Sequence, residues 1–255
     1  MRNAEWKAKI LIIALFLFSA AGAAAAEKTF LNRIFFDDFG DLGRTIVENP
    51  VESSIIAGSG ILAGALVYLY DGKIAPYMKQ KNDFNDFIFE TANNFGNGAY
   101  VFAADAFLFL GGSREKKAAQ LVIETVLVGG AFEQVIKTIT GRLRPSGAGP
   151  YMFRPFSAFD TSFPSGHACT AFAWATVIGD TYNLGWLTYP LAGLTAWARV
   201  YKNAHWPSDV LIGSLIGVVT AKILKASRER EDENLKVEIK YSQMNTPCLG
   251  VSIRL

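Results

Sequence analysis

After residue 98, the chain consists largely of apolar runs of helical length, separated by short breaks rich in glycine, proline and asparagine. No internal repeat, low-complexity linker or domain boundary interrupts these runs. The overall hydrophobic content of 51% is high for a soluble protein. The pattern therefore predicts an all-α helical bundle, with helices at 99–110, 118–139, 167–181, 185–200 and 209–225.

The segments before residue 98 also favour helices. Residues 51–70 are apolar and contain three glycines, a composition that lets helices approach closely. Residues 27–49 have the mixed polar and aromatic pattern of an amphipathic helix, and phenylalanines recur at helical spacing within 71–98. We therefore expect a single helical domain over 27–230.

The two ends of the chain have patterns of their own. A basic start, an apolar run at 10–21 and a small-residue A-x-A site before Glu27 predict a signal peptide over 1–26. An uncleaved membrane anchor is the alternative. In the tail, 231–255, apolar and polar residues alternate on both sides of Asn-Thr-Pro, which predicts a β-hairpin appended to the bundle.

Composition restricts the possible chemistry. The net charge of +2 gives no electrostatic support for a nucleic-acid partner, and no obligatory protein partner is evident. Two cysteines exclude a disulfide scaffold and a four-cysteine zinc site. Only two histidines are present, His167 and His205, and no Asp/Glu cluster offers a magnesium site. We therefore expect neither a metal nor a cofactor, and any histidine chemistry must use these two side chains.

The first candidate segment carries two cations. Lys137 lies at the end of a predicted helix, and Arg144 follows in a loop beside Pro145. Cations on both sides of a turn can converge on one anion, and arginine offers a planar fork to phosphate oxygens. The competing interpretation is a basic loop that caps the helix C-terminus.

The second segment, Pro-Ser-Gly-His, opens an apolar helix. The free N–H groups of a helix start bind anions, and Gly166 lets the backbone come close to an oxyanion. Ser165 adds a hydroxyl, and its ordinary alternative role is that of an N-cap. His167, in the first turn, is placed to give a proton to a departing oxygen.

The third segment contains Arg199, His205 and Asp209, with Pro207 placed to start the last helix. A carboxylate on that first turn can accept a hydrogen bond from the imidazole Nδ1–H and leave Nε2 free as a nucleophile. The alternative is an Asp that satisfies the helix dipole beside an interfacial histidine. Together, the three segments supply what phosphoryl transfer needs: charge neutralisation, a nucleophile and a proton donor.

The same segments resemble the signature of the type 2 phosphatidic acid phosphatase (PAP2) family, which is related to bacterial acid phosphatases and vanadium haloperoxidases. The family pattern K-x6-R-P is matched at 137–145, P-S-G-H at 164–167, and S-R-x5-H-x3-D at 198–209. The one departure is Ala198, where serine is usual. The resemblance covers roughly residues 98–225.

The resemblance implies a helical bundle of the PAP2/haloperoxidase type and a metal-independent phosphatase. His205 would form a phosphohistidine, with Asp209 orienting it. His167 would act as the general acid and then activate water. The groups that would hold the phosphate oxygens are Lys137, Arg144, Ser165, Gly166 and Arg199.

Family members commonly act on lipid phosphates at the outer face of a membrane. We therefore expect a lipid phosphate substrate and an inner-membrane location with the active site facing the periplasm. Basic clusters at 114–117 and 225–230 would be cytoplasmic, which leaves the motif residues outside. Counting helix crossings back from them, however, places residues 27–50 inside, whereas an export signal places them outside.

Three alternatives remain open at this point. A soluble periplasmic acid phosphatase of broad specificity would have the same motifs without crossing a membrane. A vanadium haloperoxidase would use the same pocket for vanadate. A non-catalytic bundle that only binds lipid phosphate would keep the cations without turnover.

Overall fold

The computed structural model describes residues 33–79, 81–157 and 160–245. Within these ranges the chain is helical throughout, apart from its loops and two isolated β-bridges in the long loop. The all-α prediction is therefore confirmed. The elements are a π-helical turn at Arg33–Asp38, α1 Phe39–Glu48, α2 Pro50–Met78, α3 Asp83–Asn94, α4 Gly98–Leu108, α5 Ser113–Thr140, α6 Gly166–Tyr182, α7 Gly185–Tyr201 and α8 Pro207–Asn245.

Local chemistry sets several of these boundaries. The side chain of Asn82 caps α3 by accepting from the Asn85 N–H at 2.7 Å, and Asn97 caps α4 in the same way. At the end of α5, Gly141 takes the left-handed conformation (φ 58°) that ends helices. A side chain there would overlap the backbone of Arg154 in the returning loop. The break between α5 and the long loop is thus tied to one glycine.

The core is a set of long helices packed around α6, which contacts α5, α7 and α8. Helix α8 approaches α6 most closely at two glycines four residues apart. A Cβ on Gly217 would overlap the carbonyl oxygen of Cys169 and lie 2.9 Å from the Ala173 nitrogen, and one on Gly213 would overlap the Ser165 carbonyl. This spacing of small residues lets the two backbones touch.

The chain order gives the bundle two chemically different ends. Four helix ends lie together at what we call the motif end: the C-termini of α5 and α7 and the N-termini of α6 and α8. At the opposite, far end, Arg114 at the start of α5 donates to the Thr181 carbonyl at the end of α6. There the Asp38 carboxylate, fully buried, pairs with Arg228 of α8 at 2.6 Å. The described residues before α2, 33–49, therefore lie at the end opposite the motifs.

Three helices, α2, α5 and α8 up to Glu233, are long and apolar enough to cross a membrane. In α2 only Gly64, Asp71 and Ala75 are buried, so most of its apolar surface faces outward. This composition, together with the length of the helices, supports membrane association. A soluble periplasmic bundle is therefore not favoured. Among the large side chains that α2 exposes are Val51, Ile55, Ile61, Leu62, Leu66 and Leu69.

The predicted C-terminal hairpin is wrong in the part that the structure describes. Its first strand, at 237–241, lies inside α8, which continues to Asn245. No glycine or proline interrupts residues 218–245, so nothing in the sequence ends the helix there. Three alternating residues are too short a pattern to compete with an established helix. The second predicted strand and the predicted signal peptide lie outside the described residues.

Candidate functional site

Lys137 and Arg144 come from the end of α5 and the loop behind it. Lys137 is in the last turn of the helix, and Arg144 follows the left-handed Gly141 by three residues. The Arg144 Nε donates to the Thr161 carbonyl at 3.3 Å, which fixes the guanidinium against the C-terminal part of the long loop. The turn thus holds both cations at the motif end.

A buried carboxylate stands beside Lys137. Glu133, one turn earlier on α5, contacts the Lys137 ammonium and is only 6% exposed. A Cβ built on Gly166 would lie 3.2 Å from the Glu133 Oε1, so this carboxylate reaches the start of α6. The contact brings Lys137 to the helix start that carries the second motif.

The start of α6 is fixed from two sides. Ser165 is its N-cap, and its Oγ accepts from the Ala168 N–H at 3.5 Å. The Ser165 N–H donates to the Asp209 carbonyl at 3.0 Å, so α6 and α8 begin next to each other. Gly166 and His167 are the first two helical residues, and their N–H groups have no acceptor within the helix. The ordinary N-cap role of Ser165 is therefore present, and phosphate binding at this helix start stays a prediction.

His167 packs under the turn that joins α3 and α4. A Cβ on Gly96 would lie 2.6 Å from the His167 carbonyl oxygen and 2.9 Å from its Cβ. The glycine therefore permits this close approach. It leaves the His167 side chain half-buried at the motif end.

Arg199, in the last turn of α7, is held by the same region. Its Nη1 donates to the Asn93 Oδ1 of α3 at 2.5 Å. Its Nε is buried, and the part of the chain that the structure describes offers it no hydrogen-bond partner. A buried donor without an acceptor is costly, so this nitrogen is available to a ligand oxygen.

His205 lies in the turn between α7 and α8 and is 2% exposed. Its Nδ1 is 2.6 Å from the Ser162 carbonyl oxygen and 3.8 Å from the Asp209 Oδ2. A carbonyl oxygen can only accept, so this contact requires the proton on Nδ1. The other ring nitrogen, Nε2, is then unprotonated. The orienting acceptor is thus a backbone carbonyl, and the Asp209 carboxylate lies beyond hydrogen-bond distance.

The cations and the histidines form one electrostatic unit. Burial lowers the pKa of His205 well below its ordinary value of 6.5, and the nearby Arg199 and Lys137 lower it further. Arg144 also lowers the pKa of His205, and the same three cations lower the pKa of His167. The structure therefore brings the three predicted segments together at one end of the bundle, with His205 neutral at pH 7.

Sequence reasoning missed several residues of this site. Arg142 is 1% exposed and pairs with Asp71 at 2.7 Å and Asp209 at 2.5 Å. An acidic residue in the apolar helix α2 was a visible signal for Asp71. The basic residue two positions before Arg144 was a weaker signal for Arg142. Nothing in the sequence distinguished Asn93 or Ser162.

Ala198, the departure from the family pattern, lies among apolar side chains and not among the cations predicted to hold phosphate. It is fully buried in an apolar cluster with Phe89, Ala92 and Tyr201. The alanine methyl group therefore packs α7 against α3. A serine here would place its hydroxyl among apolar side chains.

Within residues 33–79, 81–157 and 160–245, no three His, Cys, Asp or Glu side chains are grouped in a way that could hold a metal ion. Two of the carboxylates at the motif end, Asp71 and Asp209, are instead paired with Arg142. Metal independence stays a prediction.

The chain is similar in sequence to proteins of known family. Residues 118–232 match the PAP2 superfamily. A lipid A 1-phosphatase of Rhizobium etli is 30% identical over 154 residues, which are 50% of this chain and 65% of that protein. An undecaprenyl-diphosphatase of Sulfolobus acidocaldarius is 30% identical over 122 residues, which are 46% of this chain and 59% of that protein. The chain spans at most 65% of the length of the first curated relatives it matches.

A solved structure has the same fold. The transmembrane PAP2-type phosphatidylglycerolphosphate phosphatase of Bacillus subtilis aligns with a TM-score of 0.53 at 18% identity. The match covers 68% of this chain and 95% of that protein. At this level of identity, the likeness concerns the fold alone.

Proposed function

We propose that the chain is a PAP2-type, metal-independent phosphatase that hydrolyses lipid phosphates through a phosphohistidine on His205. The match of residues 118–232 to the PAP2 superfamily supports this proposal. The observation that carries the proposal is the contact between the His205 Nδ1 and the Ser162 carbonyl. It holds the ring in the tautomer whose free Nε2 lone pair can attack phosphorus.

In the first step, the phosphate oxygens are held by cations and by backbone N–H groups at the start of α6. The His205 Nε2 forms a bond to phosphorus, and the bond from phosphorus to the leaving oxygen breaks. Burial and the nearby Arg199 and Lys137 lower the pKa of His167 to about 3. The negative charge of a bound phosphate opposes this shift, so His167 takes up a proton together with the substrate. It donates that proton to the leaving oxygen, which departs as an alcohol or as the remaining phosphate of a diphosphate. The groups proposed to hold the phosphate are Lys137, Arg144, Ser165, Gly166 and Arg199.

In the second step, His167, now unprotonated, accepts a proton from water as the hydroxyl attacks phosphorus. The bond between phosphorus and the His205 Nε2 breaks, and its electron pair returns to the nitrogen. Inorganic phosphate leaves, and His167 is protonated again for the next cycle. Each atom and proton is accounted for, and no metal is needed because the cations supply the charge.

The lipid character of the substrate is supported by two independent points. Helix α2 and parts of α5 and α8 have the length and apolar surface of membrane spans. Two relatives, which match over 154 and 122 residues, are named a lipid A 1-phosphatase and an undecaprenyl-diphosphatase. A phosphate carried on a membrane lipid would meet the motif end where these helices reach the surface.

The proposed orientation places the motif end in the periplasm. Arg114, Lys116 and Lys117 lie at the far end, at the start of α5, and Arg228 and Arg230 lie on the far part of α8. Such clusters favour the cytoplasmic side. An axial separation of about 42 Å along the 28 residues of α5 is enough to put the two ends on opposite faces.

Cysteine labelling tests the orientation. Cys248 is replaced by serine, and Cys169 is buried in the bundle. A cysteine at Phe156, which is 80% exposed in the long loop, should react with an impermeant maleimide added from the periplasmic side. A cysteine at Lys116 should react only after the inner membrane is opened. The reverse pattern would contradict the proposed orientation.

The activity is tested by phosphate release in EDTA from a panel of lipid A, a polyprenyl diphosphate, phosphatidylglycerol phosphate, phosphatidate and a soluble nitrophenyl ester. We expect release from at least one lipid, at a higher kcat/KM than from the soluble ester. No release from any substrate by the folded protein would support the non-catalytic binding bundle instead. Halide oxidation in the presence of vanadate would favour the haloperoxidase.

A further inference from the structure

A cluster of three charged side chains lies directly behind the His205 turn. Asp71, Arg142 and Asp209 are each at most 1% exposed, and they come from α2, the long loop and α8. Arg142 reaches Asp71 at 2.7 Å and Asp209 at 2.5 Å. We call these three residues the clamp. Two carboxylates face one guanidinium, so the clamp has a net charge of −1.

Asp71 holds the first turn of α8 from another helix. Its Oδ1 accepts the Ser208 N–H at 2.9 Å, and its Oδ2 accepts the Ser208 hydroxyl at 2.5 Å. Proline at 207 has no N–H to satisfy. The Asp209 Oδ2 accepts the Trp206 N–H at 2.8 Å, which completes the turn that carries His205. Asp71 therefore acts as an external cap for the helix that follows the nucleophile.

Arg142 connects this cap to the other side of His205. Its carbonyl accepts the Ser162 N–H at 2.7 Å, and the Ser162 carbonyl accepts the His205 Nδ1–H. The guanidinium also donates to the Pro150 carbonyl at 2.7 Å and lies 4.8 Å from the Tyr68 ring centre. The Ser162 backbone is thus bonded to Arg142 through its N–H, while the Ser162 hydroxyl donates to the Leu143 carbonyl at 3.1 Å.

We propose that Asp71 and Arg142 are positioning residues for the nucleophile, because the clamp holds both the Ser162 carbonyl and the Asp209 carboxylate on the Nδ1 side of His205. The inference rests on the proposed function. When the His205 Nε2 takes up the phosphoryl group and Nδ1 keeps its proton, the ring becomes more positive. The net negative clamp, 3.8 Å away at the Asp209 Oδ2, stabilises that charge.

The position of Asp71 in its helix supports this role. An acidic residue in an apolar, outward-facing helix is costly and marks a functional site when it has a partner. Asp71 is fully buried, and it lies on the same side of α2 as Gly64, where a Cβ would come within 2.5 Å of the Ile212 side chain. One face of α2 therefore packs against α8, and the Asp71 carboxylate lies on that face.

The test compares Asp71→Asn with Asp38→Asn. Asp38 is an equally buried, arginine-paired aspartate at the far end, bonded to Arg228. Arg228 is 19 residues along α8 from Asp209, or about 28 Å. Loss of buried pairing should lower the melting temperature of both variants. Only Asp71→Asn should lower kcat, by roughly 10- to 100-fold, because the nucleophile is displaced by a fraction of an ångström.

KM should stay within about threefold of wild type, since the phosphate-binding cations are untouched. A second readout does not depend on turnover. With ¹⁵N-histidine labelling in a His167→Ala background, the one remaining imidazole is His205. We expect the Nδ1–H tautomer in the parent and in Asp38→Asn, and loss of that single tautomer in Asp71→Asn.

Wild-type kcat together with an unchanged His205 spectrum in Asp71→Asn would overturn the proposal, as would an equal loss of kcat in Asp38→Asn. If Asp71→Asn does not fold, Arg142→Lys keeps a positive charge between Asp71 and Asp209 and removes the planar fork that bonds both carboxylates. The same criteria apply to it. Failure of the wild type to release phosphate would contradict the proposed function alone, because the imidazole spectrum would still report on the clamp.

Discussion

The His205 Nδ1 lies 2.6 Å from the carbonyl oxygen of Ser162, so the proton on that nitrogen is held by the backbone. Replacing His205 with asparagine keeps a donor that can reach the same carbonyl and removes the nucleophile. We expect His205→Asn to remain folded and to release no phosphate above the buffer rate. Circular dichroism and a phosphate-release assay in detergent check this. Turnover comparable to wild type would contradict the assignment.

His167→Ala should slow turnover by about 10²–10⁴-fold, the usual contribution of a general acid. The loss should be smallest for a nitrophenyl ester, because that leaving group departs without help from a proton. The measurement is kcat for esters whose leaving groups differ in pKa. An equal loss across the series would argue that His167 does not protonate the leaving group.

The buried His205 should make stability depend on pH. Its folded pKa is lowered by burial, and further by Arg199 and Lys137, below the unfolded value of 6.5. Unfolding below pH 6.5 therefore takes up a proton, and the stability contributed by the neutral ring is present above 6.5 and lost as the pH falls. Between pH 7 and 5, wild type should therefore lose more stability than His205→Asn. Equal losses in denaturation curves would contradict a depressed pKa.

The contact between α6 and α8 predicts a sharp difference between two glycines. A Cβ on Gly217 would meet the backbone of Cys169, whereas one on Gly193 of α7 meets nothing within 4 Å. Gly217→Ala should cost about 1–3 kcal/mol, because neither backbone can move without opening the core. Gly193→Ala should be neutral or stabilising by up to about 1 kcal/mol. Melting temperatures of the two variants in the same detergent test this.

Metal removal should leave activity unchanged. The charge on the phosphoryl group would be neutralised by Lys137, Arg144 and Arg199, so no divalent cation has a role. Turnover after EDTA treatment should match the untreated protein, and vanadate should inhibit competitively as an analogue of the transition state on His205. Loss of activity that magnesium or zinc restores would contradict this prediction.

The sequence determined the helical bundle and the chemical content of the site. Apolar periodicity and glycine, asparagine and proline breaks predicted the last five helices to within a few residues at most ends, because these signals are local. The start of α8 was anticipated at Pro207 from the same local chemistry. The C-terminal part of α8 was predicted wrongly, because the short alternation at 237–241 was interpreted as a strand. No helix breaker stands before these residues, so the helix continues through them.

The motif residues were also visible in the sequence, since their types and spacing are fixed along the chain. Which group holds the His205 proton was not. That depends on the path of the long loop, which brings Ser162 to the ring and leaves the Asp209 carboxylate 3.8 Å away. The pairing of Asp71 with Arg142 joins residues 71 positions apart. Only the packing of α2 against the start of α8 creates that contact, and local pattern contains no information about it.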